Sequence, residues 1–414
     1  MRRADPIRLF YALTFLQASA VGWVVFDLFL VRTLKLSPLE LILMGTVMEA
    51  TIFVFEVPTG VVADTYGRRL SLIIGFIGMG AAVVLVGASS TAWVVIALWG
   101  AWGLSYTFTS GAFEAWLADE VGAENVGSLF LRGKRVGFAG ALVGLALGVA
   151  VGVWSLRMAV ILTGVIELSC GLLCIAAMPE TGFRRQPRAE RALRELLATA
   201  ASGVRFVRAR TLVLLLVATE LIAGFGAEAF DRLTEAHVIR DVGIPASINP
   251  VFAFGAVSIV TMVFGFAAAG RVIRRVDLGG TPTVARMLVV FTLATIAGQI
   301  AFALGRNFWF VMAVFLAALV ARSLLAPLYT TWFNRQITDS SVRATVLSIS
   351  GQANAIGQAT GGPVLGVVGN VFGIPAALVV GALTTIPAAG LYARALRHGG
   401  VEPKLAQLPV AAEA

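Results

Sequence analysis

Apolar stretches of about twenty residues recur along almost the whole chain, separated by short polar turns, and this succession restricts the fold more than any other feature. Twenty residues of α-helix rise about 30 Å, the thickness of a bilayer's hydrocarbon core. No water reaches peptide groups there, so each stretch must be helical to satisfy its own N–H and C=O groups. With 414 residues, 58% hydrophobic and only 13% charged, the chain departs from water-soluble domains and has room for ten to twelve spans. Twelve can be placed, at roughly 8–31, 39–63, 71–90, 93–118, 132–153, 157–178, 210–236, 250–270, 284–304, 309–333, 344–370 and 375–394. The predicted class is an all-α membrane protein.

The basic residues orient these spans. With a cytoplasmic N-terminus, 25 of the 32 Lys and Arg fall in cytoplasmic segments, while the outer loops hold Arg32, Lys35, Arg157, Arg240 and Arg306. The net charge of +9 therefore reads as a topology signal; no basic patch is interleaved with aromatics as a nucleic-acid surface would be. Met1-Arg2-Arg3, an apolar run and Ala18-Ser19-Ala20 have the shape of a secretory signal, yet apolar sequence continues to Val31, which predicts an uncleaved first span. Cys170 and Cys174, four apart in an apolar run, read as packing residues, so neither a disulfide nor a metal site is expected.

The most informative segment is Gly60-Val61-Val62-Ala63-Asp64-Thr65-Tyr66-Gly67-Arg68-Arg69, preceded by Pro58. It lies between two apolar runs, so it must form a tight turn outside lipid. Gly67 permits backbone angles that a Cβ would penalise, and Arg68 and Arg69 hold the turn on the cytoplasmic side. The G-x-x-x-D-x-x-G-R-R spacing resembles the loop 2–3 signature of the major facilitator superfamily. That resemblance implies twelve transmembrane helices in two six-helix, pseudo-symmetric halves, with Gly60, Asp64, Gly67, Arg68 and Arg69 as a gating motif.

The connection at 179–209 divides the chain into an N-terminal half, 1–178, and a C-terminal half, 210–414, ending in a short cytoplasmic tail. Leu193, Leu196, Leu197, Ala200 and Val204 follow helical spacing within it, consistent with an amphipathic helix on the membrane surface or a solvated basic linker. The halves repeat weakly: Ala115-Trp116-Leu117-Ala118-Asp119-Glu120-Val121 aligns with Thr331-Trp332-Phe333-Asn334-Arg335-Gln336-Ile337. Span eleven carries Gly357, Gly361, Gly362, Pro363 and Gly366, glycines for close helix approach and a helix-bending proline like Pro58. This is similar to the glycine-proline motif that proton-coupled exporters carry in span five, displaced here to the second half. Among subfamilies, the chain looks most like bacterial multidrug and tetracycline-type exporters.

Ionisable residues inside spans are functional candidates, because burying one costs at least ~2.5–3.5 kcal/mol on insertion scales. They are Asp27, Glu49, Glu56, Glu114, Glu167, Glu220, Glu228, Asp231, Arg232 and Arg322. Glu220, Glu228, Asp231 and Glu235 draw an acidic stripe along span seven. The resemblance places spans one, four, seven and ten around a central cavity. Arg322, Glu49 and Glu220 share a depth near the midplane, so the two acids are expected to compete for the guanidinium; the acid left unpaired is free to carry a proton. Asp231 and Arg232, nearer the outer surface, read equally well as a local charge pair. His237 and His398 read as boundary residues.

The function expected is secondary active transport by alternating access, most simply proton-coupled export of small amphipathic or cationic compounds; a proton-coupled importer or a carrier of one endogenous metabolite is the alternative. No phosphate-binding G-x-x-x-x-G-K-[ST] segment is present to supply nucleotide energy. An enzyme is not expected, and no cofactor or metal is called for. The expected partners are a small-molecule substrate, protons and the lipid bilayer, with the chain acting as a monomer in the bacterial cytoplasmic membrane.

Overall fold

The computed structural model describes residues 5–20, 23–184, 201–275, 281–337 and 340–398, and no strand occurs among them. The N-terminal helices are α1 (Pro6–Ala18), α2 (Trp23–Leu28), α3 (Pro38–Tyr66), α4 (Arg68–Ala88), α5 (Ala92–Thr107), α6 (Ala112–Val121), α7 (Val126–Trp154) and α8 (Leu156–Ala177). The C-terminal helices are α9 (Thr211–His237), α10 (Pro250–Arg275), α11 (Thr281–Leu304), α12 (Phe308–Gln336), α13 (Ser340–Phe372), α14 (Ile374–Thr384) and α15 (Ile386–His398). Between them only 201–209 is described as helix; the leucines expected on an amphipathic linker helix lie outside the described residues.

Local chemistry sets several helix starts. Ser37 and Glu40 form a reciprocal capping box at α3, with Pro38 in the first turn. Ser155 and Asn307 cap α8 and α12 through their side chains. Among the described residues nine helical stretches are long and apolar enough to cross a membrane. The remaining span segments are the broken α1 and α2, α10 with its shorter apolar part Pro250–Phe264, and the more polar α13.

Two spans expected to be continuous are interrupted. The first breaks at Ser19, whose hydroxyl donates to the Leu16 carbonyl over 2.9 Å. Glycines of α7 make room for this break: a Cβ at Gly144 would lie 2.9 Å from Ser19 Cα, and one at Gly140 would lie 2.5 Å from the Phe15 carbonyl oxygen. In the fourth span, α5 and α6 are separated by 108–111, where Gly111 adopts φ +69°. The carbonyls of Thr107 and Phe108 accept from Thr59 at 3.1 Å and Ser71 at 2.7 Å, so the break leaves no orphaned acceptor there.

Three apolar clusters define the shape. One joins both halves and contains Phe29, Leu41, Met44 and Trp99 together with Phe230, Val251, Phe302 and Leu365. The other two are each confined to one half: Leu13, Phe76, Trp116 and Cys174 in the first, and Leu216, Leu288, Trp332 and Ala395 in the second. Helices alternate in direction, so both separate clusters lie at the end carrying the termini, and the shared cluster lies at the far end. The halves thus meet at the far end and part at the termini end. Helices α3 and α13 display both conditions: a Cβ at Gly362 would lie 2.1 Å from Thr46 Oγ1, whereas Cβ atoms at Gly60 and Gly351 would meet nothing within 4 Å.

Pro58 and Pro363 sit inside α3 and α13 without ending either helix. The glycines of α13 serve two partners. Gly357 and Gly361 abut Leu221 and Phe225 of α9 in the same half, while Gly362 and Gly366 abut α3 across the halves. The weak sequence repeat has a physical counterpart in Trp116 and Trp332, both 1% exposed and each filling the separate cluster of its own half.

Candidate functional site

Just inside the closed far end, charged residues from both halves converge. Asp231 of α9 and Arg322 of α12 form a two-pronged ion pair, one prong being Nη2 to Oδ2 at 2.8 Å. One residue on, Arg232 turns the other way and meets Glu228 through Nε at 3.3 Å, with Glu228 1% exposed. Arg232 also crosses to the N-terminal half: a Cβ at Gly45 would lie 2.4 Å from its Nε, so only glycine leaves room for the guanidinium. Asp27 of α2 and Glu49 of α3 lie within electrostatic reach of Arg232, and Asp27 also acts on Glu235. Two guanidiniums therefore face five carboxylates from three helices.

The expected contest of Glu49 and Glu220 for Arg322 is not what the structure contains. Asp231 holds that guanidinium, because α9 and α12 bring these two side chains onto facing surfaces and a planar fork matches one carboxylate in two-point contact. Glu220 instead accepts from Asn354 Nδ2 of α13 at 2.9 Å, and Gln358 Nε2 donates to Asn354 Oδ1 at 2.7 Å. Asp231 and Arg232 are not paired with each other. His237 is not a surface residue: it is 1% exposed, with Nδ1 2.9 Å from Asp241 Oδ2 and Nε2 3.1 Å from the Phe302 carbonyl oxygen.

Two cavities adjoin the charges. One of about 410 Å³ lies between α9, α10 and α12, where Asp231 and Glu235 share the walls with Phe230, Phe254, Phe315 and Met262. The second, about 240 Å³, lies inside the C-terminal half and is lined by Glu220, Arg322, Asn354 and the buried Gln299 among others. Glu56 and Glu114 are elsewhere. Glu56 accepts from Ser110 at 2.8 Å at the α5–α6 break, and Glu114 is exposed beside a smaller cavity of about 170 Å³ with Gln17, Tyr106 and Ser110.

The 60–69 turn forms a separate cluster within the N-terminal half. Asp64 pairs with Arg68, and Arg68 Nε lies 3.7 Å from Asp119 at the end of α6. Gly67 takes φ +115°, and the carboxylate of Glu180 packs so close that a Cβ there would lie 2.7 Å from its Oε1. Glu180 accepts from the Arg69 amide at 2.8 Å, placing a negative charge on the N-terminus of α4. Arg69 itself donates to the carbonyls of Cys174 and Ile175, at 3.4 and 2.7 Å, at the C-terminal end of α8. The turn is thereby tied to two other spans of its own half.

Four residues carry contacts that their place in the sequence does not signal. Asn354 and Gln299 are neutral, so the cost of burying a charge does not mark them in the sequence. Arg240 donates across the halves to the Leu36 and Val31 carbonyls at 2.7 and 3.4 Å, and Asn370 accepts from the Leu39 amide at 3.0 Å. Both sit in turns or near helix ends, where only the tertiary contact distinguishes them. Among the described residues no group of His, Cys, Asp and Glu is arranged to hold a metal ion.

Helical lobes that meet at one end and part at the other, with charges gathered where they meet, define the class: a two-lobed multi-span membrane transporter. The sequence profile described as Major Facilitator Superfamily matches residues 9–336, and the chain belongs to that superfamily. An MFS-type transporter of Bacillus subtilis, YxaM, is 24% identical over 387 residues, covering 88% of this chain and 90% of its own. Among solved structures, a point mutant of the nucleoside transporter NupG superposes with a TM-score of 0.77 at 13% identity, covering 94% of this chain and 100% of that one. An inward-facing, occupied bacterial homologue of the human lysosomal transporter Spinster gives 0.67 at 14% identity, covering 95% and 96%. At these identities the structural likeness establishes the fold.

Proposed function

We propose that the chain is a twelve-span, proton-coupled secondary transporter that exports small amphipathic or cationic compounds by alternating access. The excess of carboxylates over guanidiniums at the junction of the halves carries this reading. Carboxylates that outnumber their partners in low dielectric must take up protons or attract a cation. A proton and a cationic substrate then compete for the same negative charge, and release of one on binding of the other couples the two fluxes. The cavity beside Asp231 and Glu235, walled by three phenylalanines and a methionine, suits an amphipathic amine: carboxylates for the ammonium, aromatic faces and sulfur for its apolar part.

In this reading both termini are cytoplasmic, the parted end faces the cytoplasm, and the chain works as a monomer in the bacterial inner membrane. Loading occurs from inside, the lobes rock about the charged junction, and the Asp64–Arg68–Asp119 cluster steadies one gate state. Proton-coupled import uses the same parts with the gradients reversed. The test is transport of a lipophilic quaternary ammonium dye into inverted membrane vesicles, with and without an imposed pH gradient. Gradient-dependent accumulation that is lost in Asp231→Asn or Glu228→Gln is the expected result. Accumulation by the parent chain that is indifferent to the gradient would overturn proton coupling, and full gradient-dependent accumulation by both variants would remove these carboxylates from it.

A further inference from the structure

Glu220 and Asp231 are eleven residues apart on α9, which returns them to one helix face about 16 Å apart along the axis. The cavity of about 240 Å³ lies against that face, enclosed by α9, α11, α12, α13 and α15 of the C-terminal half alone. Glu220 stands at one end of it, and Arg322, holding Asp231, at the other. Gln299 of α11 lines the space between. It is only 6% exposed. Its primary amide can both donate to and accept from water, and the space beside it is large enough for several water molecules.

A second relation gives this space a role. Arg322 lines the 240 Å³ cavity, whereas its partner Asp231 lines the 410 Å³ cavity on the other side. The ion pair is therefore the partition between an interior chamber and the space assigned above to cargo. We infer that the 240 Å³ chamber is a water-filled proton path, separate from the cargo cavity, by which protons pass between Glu220 and the Arg322–Asp231 pair. The inference rests on the proton-coupled reading and adds the route to it. One O–H bond breaks at the Glu220 carboxyl or a hydronium and one forms at Asp231; the neutral Asp231 releases Arg322, and no other bond changes. The groups facing the chamber are Glu220 from α9, Arg322 and Tyr329 from α12 and Tyr392 from α15, while α11 and α13 contribute the uncharged Thr292, Thr295, Gln299 and Asn354. No second carboxylate lies among the residues lining the chamber to intercept the proton.

The experiment uses purified full-length protein and time-resolved infrared spectroscopy after a pH jump, which reads carboxyl protonation without any substrate. The Asp231 carboxyl band is the one missing in Asp231→Asn. Ala223→Leu and Ala326→Phe fill the chamber without changing an acid, and Gln299→Leu removes the water ligand at nearly constant volume. The expected result is a band that still forms in all three variants but at least tenfold more slowly than in the parent. Unchanged rates in the folded variants would overturn the chamber as a route while leaving the proton-coupled reading intact. If the parent shows no band that Asp231→Asn removes, Asp231 does not take up the proton and the route to it falls, whereas the proton-coupled reading is decided separately by the vesicle assay.

Discussion

Replacing Gly362 by valine should shift the balance between the two arrangements of the lobes without touching a charge. In the present arrangement a Cβ at this position would lie 2.1 Å from Thr46 Oγ1 and 3.1 Å from Ile42 Cγ2, both on the opposite half. Contacts this short require the Thr46 and Ile42 side chains to repack or α3 and α13 to move apart, and overpacking of such a seam costs about 1–3 kcal/mol. The clash exists only while the far end is closed, so it acts as a differential between states and lowers the closed-to-open ratio about 5–150-fold. Spin labels at exposed positions Thr33 and Ser247 would report the separation at the far end, and labels at Tyr66 and Arg335 that at the termini end. Electron–electron resonance should show the first distance lengthening and the second shortening. Gly351→Val is the paired comparison: its Cβ meets nothing within 4 Å here, so it should leave the far end closed. If Gly362→Val folds and inserts but leaves both distances unchanged, the seam does not control the equilibrium and the reasoning fails.

Asp64→Asn removes the charge that Arg68 shares with Asp119 and should slow dye transport while expression and membrane insertion stay near parental; normal transport would dismiss the gating role. Trp116→Ala removes a fully buried indole and its 2.8 Å bond to the Pro179 carbonyl, and should cost about 3–5 kcal/mol, read as a lowered unfolding temperature in detergent. An undiminished unfolding temperature would show that the cluster beneath α6 does not stabilise the half. For orientation, a cysteine at position 188 should resist an impermeant thiol reagent added outside intact cells and react after permeabilisation; labelling from outside would reverse the proposed topology.

The helical kind of the elements followed from sequence because membrane burial acts on each segment separately. A stretch long and apolar enough to cross lipid must be helical whatever it packs against. The capping box at Ser37 and the turn at Gly67 were legible for the same reason, since each is settled by a few neighbouring residues. The breaks at Ser19 and at 108–111 were not. They depend on Gly140 and Gly144 of α7 and on Thr59 and Ser71, partners remote in sequence that accept an interrupted backbone or satisfy its carbonyls.

The charges divide in the same way. Which residues could not rest in lipid was plain from the sequence, because the cost of burying an ionisable group belongs to the residue itself. How they pair was decided by the tertiary structure. Glu220, Asp231 and Arg322 lie within a few turns of one another in depth, and depth alone favoured the wrong acid. Only the rotation of α9 against α12 presents Asp231 to Arg322, and only α13 supplies the Asn354 that occupies Glu220. Likewise the glycines of α13 announced close approach, but their division between α9 and α3 depends on how the halves dock. Sequence determined what each helix must hide; the packing of the two halves determined what it is hidden against.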